Sequence, residues 1–165
     1  MDLSRKPVHS GAMPFESHMH AALEEARAAA RRGEVPVGAV VVAPNGRVVA
    51  AAGNRTRELS DPTAHAEILA LRAACGAAGT ERLPGHALWV TLEPCAMCAA
   101  AIAAARIRRL VFGAPDPKSG GVVHGARVLD HPQCHHVPEI VEGVESIQSG
   151  LILKDFFRIR RNAAH

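Results

Sequence analysis

Cys95 and Cys98 are the chain's one cysteine pair at motif spacing, within Pro94-Cys95-Ala96-Met97-Cys98. In the first turn of a helix, positions i and i+3 share a face, so both sulfurs can reach one metal ion. The helix dipole and the free N–H groups at that end stabilise thiolates. Pro94 suits the first turn, where its missing N–H is not needed. Alone, the pair has three readings: half of a structural zinc site, a redox dithiol, or two core cysteines. His65 is a third candidate ligand, in Thr63-Ala64-His65-Ala66-Glu67 at a second expected helix start. A lone His there is ordinarily a cap or a packing residue. Two helix N-termini that follow adjacent strands can, however, face one point beyond a sheet edge. His65, Cys95 and Cys98 then give three zinc ligands. Closed structural sites use four, and an open fourth position marks a catalytic zinc that holds water. Cys75 lies too far along the helix to be the fourth, about 15 Å by helical rise.

Glu67 follows His65 at i+2, a spacing that does not share a helix face. The two converge only if His65 reaches past the helix end. In that arrangement a non-ligand carboxylate takes a proton from the zinc-activated water and returns it to a ring nitrogen and a leaving amine. Zinc lowers the pKa of water from about 15.7 to about 7. That eases hydroxide formation by about 12 kcal/mol. The plain alternative is that Glu67 only favours a helix N-terminus.

These residues need elements to hold them. Residues 15–32 carry Phe15, Met19, Leu23, Ala26 and Ala30 at helical spacing, and Gly33 stops the helix. Two apolar runs, 37–43 and 47–52, flank Pro44-Asn45-Gly46 and predict a β-hairpin. Asp61-Pro62-Thr63 predicts a helix start, with the helix ending near Ala78 before Gly79. Strands are expected over 87–92 and 107–113, with a helix over 95–105 between them. A loop over 115–125, a weak strand over 140–144 and a closing helix over 145–161 complete the chain. Strands alternating with helices indicate an α/β domain of three layers, α/β/α. About five strands form its mixed sheet, mostly parallel after the opening hairpin, with helices on both faces.

The 165 residues suit one domain. Residues 1–14 read as a flexible leader and 15–165 as a single domain. Hydrophobic residues at 48% and charged residues at 21% give a globular composition. No apolar stretch is long enough for a transmembrane helix, and no signal peptide is legible, so the expected compartment is the cytoplasm. The cysteines are then not a disulfide framework. A net charge of +3 does not by itself announce a nucleic-acid partner. Aromatic residues at 3% argue against a base-stacking track.

At His65-Ala66-Glu67 and Pro94-Cys95-Ala96-Met97-Cys98 the sequence resembles the zinc-dependent cytidine deaminase-like superfamily, whose pattern is HxE…PCxxC. The likeness is nearest to its tRNA-acting adenosine deaminases and covers nearly all the chain after residue 15. It includes Glu34-Val35-Pro36-Val37-Gly38-Ala39-Val40, the segments 61–71 and 91–98, Val111-Phe112-Gly113-Ala114 and Asp155-Phe156-Phe157-Arg158. The resemblance implies the cytidine deaminase-like fold and hydrolytic deamination of adenosine to inosine at the wobble position of a tRNA anticodon. One zinc would sit on His65, Cys95 and Cys98, with Glu67 as proton shuttle. Asn54 matches the base-reading Asn, since an amide can bond a purine's N7 and the group beside it. Val37 would line the pocket, Asp116 and Lys118 match the substrate loop, and Phe157 and Arg158 match the helix that meets the flipped-out nucleotides. Four of these also have an ordinary role: loop cap for Asn54, core for Val37 and Phe157, turn for Asp116. The resemblance further implies a homodimer that completes the surface for a tRNA anticodon stem-loop. The alternative is a deaminase of a free base or nucleoside, such as cytosine or guanine, on the same zinc site. Pro115 and Pro117 flank Asp116 where related chains often carry Arg and Ala, and Cys134-His135-His136 replaces a more usual Asn-His segment. Two Arg clusters, 106–109 and 158–161, offer phosphate contacts that the total charge hides.

Overall fold

The computed structural model describes residues 16–165. The expected leader over 1–14, and Phe15, lie outside the described residues. The chain order is α1 (Met19–Arg31), β1 (Gly38–Val42), β2 (Val48–Gly53), α2 (Ala66–Ala78), β3 (Ala87–Leu92), α3 (Ala96–Ala104), β4 (Arg109–Ala114), β5 (Glu139–Val141) and α4 (Ser146–Ala163). A turn of 3-10 helix over Val128–Asp130 precedes β5. The five strands form one sheet in the order β2-β1-β3-β4-β5.

Strand side chains alternate faces, and both faces of this sheet are apolar. Ala39, Val41, Leu88, Val90, Leu110 and Phe112 join the core beneath α2 and α3. Their neighbours Val40, Val42, Trp89 and Val111 join a second core that includes Met19 and Leu23 of α1. A sheet buried on both faces reads as nearly continuous apolar runs, as β1, β3 and β4 do. The three-layer α/β expectation therefore holds.

The strand directions carry the functional consequence. β1 runs antiparallel to both β2 and β3, so β2 and β3 point the same way. β4 and β5 are parallel to β3 and β4. The C-terminal ends of β2, β3 and β4 thus share one sheet edge. Here the chain turns towards α2, towards α3 and into the loop after Ala114. The start of β1, after Val37, lies at the same edge.

α1 lies very close to this sheet at two paired glycines. Gly38 and Gly53 face each other in the β1–β2 register. A Cβ on Gly38 would stand 1.9 Å from the Ala22 carbonyl oxygen, and one on Gly53 2.7 Å from that of Glu25. Backbone atoms cannot rotate away as a side chain can. Gly38→Ala should therefore cost about 3 kcal/mol of stability, read as a lower urea midpoint at unchanged m. An unchanged midpoint would show that α1 shifts freely.

Several boundaries differ from expectation, among them the α1 start at Met19 and β5 at Glu139–Val141, and two of the differences bear on the site. α2 starts at Ala66, not near Asp61. Asp61 Oδ1 accepts the Thr63 N–H at 2.8 Å and its hydroxyl at 2.7 Å, an Asx turn that competes with helix. His65 is left as the extended residue before the first helical one. α3 likewise starts at Ala96, with Cys95 extended just before it.

Candidate active site

The two residues just outside their helices face each other at the shared edge. His65 Nδ1 lies 3.6 Å from Cys95 Sγ and 3.5 Å from Cys98 Sγ. All three ligand atoms lie within 4.8 Å of one another. Two donors on a tetrahedral zinc, with bonds of about 2.3 Å to sulfur and 2.0–2.1 Å to nitrogen, stand about 3.6 Å apart. The donor set therefore fits zinc in both chemistry and spacing. No fourth His, Cys, Asp or Glu joins this cluster among the described residues. Three protein donors match an open site, not a closed structural one.

Without metal, the thiols divide one proton unequally. A hydrogen bond from Cys98 lowers the Cys95 pKa to about 4, against an opposing effect of burial, with help from His65. The same bond, together with burial and the nearby Glu67, pushes the Cys98 thiol up. His65 is raised chiefly by its hydrogen bond to Cys95. Glu67, in the first turn of α2, is only 4% exposed. Burial pushes its carboxyl above the usual range, and its own N–H, His65 and the Cys98 thiol offset part of this. A raised carboxyl pKa suits a group that must both take and give a proton near neutrality.

A cavity of about 260 Å³ opens over this cluster, lined among others by Val37, Asn54, His65, Glu67, Cys95 and Asp116. The i+2 obstacle between His65 and Glu67 disappears because His65 stands before the helix. Residues 14–114 match the family described as the cytidine and deoxycytidylate deaminase zinc-binding region. The chain belongs to that zinc-binding deaminase family. A tRNA-specific adenosine deaminase of Agrobacterium fabrum is 59% identical over 87% of this chain and 93% of its own. A solved structure from work on A-to-I editing by tRNA:A34 deaminases at the wobble position of transfer RNA is similar, with a TM-score of 0.80. It shares 59% identity and covers 82% of this chain and 97% of its own. A guanine deaminase from Nitrosomonas europaea has a TM-score of 0.72 at 25% identity, covering 84% of this chain and 81% of its own.

In this zinc-binding deaminase the remaining candidates divide between the cavity and an adjoining groove. Asn54 is buried at the cavity wall, where its amide N–H₂ makes long bonds of 3.5 Å to Glu34 Oε2 and Thr56 Oγ1. Asp116 reaches both spaces and also builds its own turn, accepting the N–H groups of Lys118 at 3.2 Å and Ser119 at 3.0 Å. Lys118, Phe157, Arg158 and Arg161 line the groove of about 930 Å³ between this loop and α4. Phe157 is 43% exposed, and its neighbour Phe156, at 9%, is the core anchor. Arg158 forms an exposed ion pair with Asp155 at 3.2 Å. The other Arg cluster is elsewhere. Arg109 opens β4, about 17 Å along the strand from the site edge, and Arg106 and Arg108 precede it.

Two buried carboxylates escaped the sequence reading. Glu34 accepts the N–H groups of Arg57 at 3.3 Å and Glu58 at 2.7 Å, and so holds the loop that carries Asn54. Glu93, just before Pro94, is 2% exposed. Burial alone would raise its pKa, but hydrogen bonds from His124 and from loop N–H groups outweigh it and hold the carboxyl below the usual range. The available signal was a lone acidic residue at each junction between a turn or strand and the site.

Proposed function

We propose that this chain hydrolytically deaminates adenosine to inosine at the wobble position of a tRNA anticodon. One observation carries the reading: the single-base cavity over the zinc ligands opens onto a groove with an exposed Phe157 and the cations Lys118, Arg158 and Arg161. A free base needs only the cavity. A nucleotide flipped out of an RNA loop needs both, since its neighbours and phosphates must lie outside. The kinship with tRNA-specific adenosine deaminases supports the same substrate.

His65, Cys95 and Cys98 hold the zinc in this reading. Zinc supplies Lewis acidity that makes water nucleophilic near neutral pH. Asn54 bonds the purine edge and Val37 fills one wall, which turns C6 towards Glu67. Glu67 takes a proton from the attacking water and delivers it to ring N1. The C6–O bond forms, the C6–N6 bond breaks, and the same carboxyl relays the second proton to the departing ammonia. Lys118 and Arg158 contact the flanking backbone, and Phe157 offers a face to a neighbouring base.

Residues 15–165 act as one deaminase domain, and the chain works as a homodimer in the cytoplasm. Met97, Ala100 and Ala104 support the dimer, because they form an exposed apolar and small-residue stripe along α3. No described helix is long and apolar enough to cross a membrane.

The test is incubation with an anticodon stem-loop that carries adenosine at the wobble position, beside free adenosine, cytosine and guanine. Inosine in the RNA alone is the expected result. Turnover of a free base alone would overturn the substrate, and a monomer mass by light scattering would overturn the dimer.

A further inference from the structure

We propose that Glu93 is a positioning residue whose buried carboxylate holds the substrate-facing loop over residues 116–124 against the start of the metal-bearing helix. The inference rests on the reading of cavity and groove as an RNA adenosine site. Glu93 follows the last residue of β3 and immediately precedes Pro94 and Cys95. Its Oε1 accepts the N–H of Asp116 at 3.1 Å and Nδ1–H of His124 at 2.7 Å. Its Oε2 accepts three successive backbone N–H groups, Val122 at 3.3 Å, Val123 at 3.1 Å and His124 at 3.0 Å. One side chain thus ties both ends of the loop to the strand that leads into the zinc ligands.

Packing makes the tie close. The Gly121 N–H donates to the Pro94 carbonyl at 2.8 Å. A Cβ on Gly120 would stand 2.4 Å from Glu93 Oε2, and one on Gly121 2.4 Å from the Ala96 nitrogen. The loop therefore rests on the helix start with no side chain between them. Asp116 and Ser119, which it presents, border both cavity and groove. The chemistry requires a carboxylate. All five partners are donors, and an ionised carboxylate is acceptor-only with about four lone-pair sites. A glutamine of the same shape would set its own N–H₂ against those donors and leave some unpaired, at a cost larger than that of the bond itself.

The loop borders the space where substrate lies but carries none of the zinc ligands or Glu67. Loosening it should weaken substrate capture far more than chemistry. Glu93→Gln and His124→Ala are compared with the unaltered full-length protein by zinc content, steady-state kinetics on the wobble-adenosine stem-loop, and amide hydrogen exchange. Glu93→Gln is expected to keep its zinc and raise KM about tenfold, with kcat within about threefold. Exchange should rise at least about tenfold across 116–124 while the core of α2 stays protected. His124→Ala should shift KM and exchange in the same direction, by less. Unchanged exchange and KM in Glu93→Gln overturn the inference. So does loss of zinc with a collapse of kcat, which would place the role of Glu93 on the metal ligand. If Glu93→Gln does not fold, unchanged exchange and KM in His124→Ala overturn it. If the unaltered protein makes no inosine in RNA, the functional reading fails, and exchange alone still decides whether Glu93 holds the loop.

Discussion

Glu67→Ala should bind zinc and fold like the unaltered protein while its kcat for deamination falls by about 10³ to 10⁴-fold. Two buried acids line the cavity outside the ligand set, Glu67 and Glu93, and both oxygens of Glu93 are taken up by loop N–H groups and His124, which leaves Glu67. It is therefore the group free to move protons. Two transfers depend on it, from water and to the leaving amine, so its loss affects both halves of the reaction. Stability should move little or rise. A carboxyl whose pKa is raised by burial is held at a cost, and Ala removes that cost while leaving a helix former in the first turn of α2. Zinc content, Tm and single-turnover rates test this together. Turnover within tenfold of the unaltered protein, with zinc retained, would remove Glu67 from the proton path.

Cys95→Ala should reduce zinc from about one per chain to near zero after dialysis against a chelator, and abolish activity with it. With three protein donors, loss of one leaves a pair that zinc occupies weakly at neutral pH. Full zinc retention, by elemental analysis, would sink the three-ligand site. The cysteine pair also sets a pH dependence with a definite sign. Cys95 has a pKa of about 4 and is already a thiolate at neutral pH, whereas the Cys98 thiol is pushed up and keeps its proton. Zinc must displace that proton. His65, raised by its bond to Cys95, must give up its proton as well, so affinity should weaken as pH falls through neutrality by about tenfold per pH unit or more, with about one to two protons released per ion bound. Calorimetry in buffers of differing ionisation enthalpy measures the release. Zero proton release would mean that the free protein already holds both sulfurs as thiolates and His65 neutral.

The ligand set was legible because its chemistry is local. Cys95 and Cys98 lie within one helical turn, and His65 and Glu67 flank one helix start, so few backbone conformations separate motif from geometry. The exact helix starts were less legible. The Asp61 side chain closes a turn on Thr63 and delays α2 to Ala66. That delay is what lets His65 and Glu67 converge. Helical spacing placed Phe156 and Phe157 in α4, but a period of 3.6 does not choose between adjacent residues. The folded chain buried the first and left the second exposed. The positions of Glu34 and Glu93 at chain junctions did not reveal their roles. An acid at a strand end reads as a solvated charge until the loop that supplies its donors, distant in sequence, is folded over it.

The charge pattern separates the two levels in the same way. The sequence alone identified two Arg clusters, and only strand direction assigned them. Arg158 and Arg161 border the groove beside the site, and Arg109 opens β4 at the far end of the sheet. By itself, then, the sequence determined the zinc donors, the acid beside them, the α/β layering and the family resemblance, because each depends on residue types within a few positions. Tertiary structure alone decided that His65 meets Cys95, that Asn54, Val37 and Asp116 surround them, and that Glu93 anchors the loop above. The reason is the antiparallel placement of β1 between β2 and β3. It sends the ends of β2 and β3 to one edge, and the parallel β3–β4 pair brings the end of β4 there too, a set of long-range pairings that no local spacing encodes.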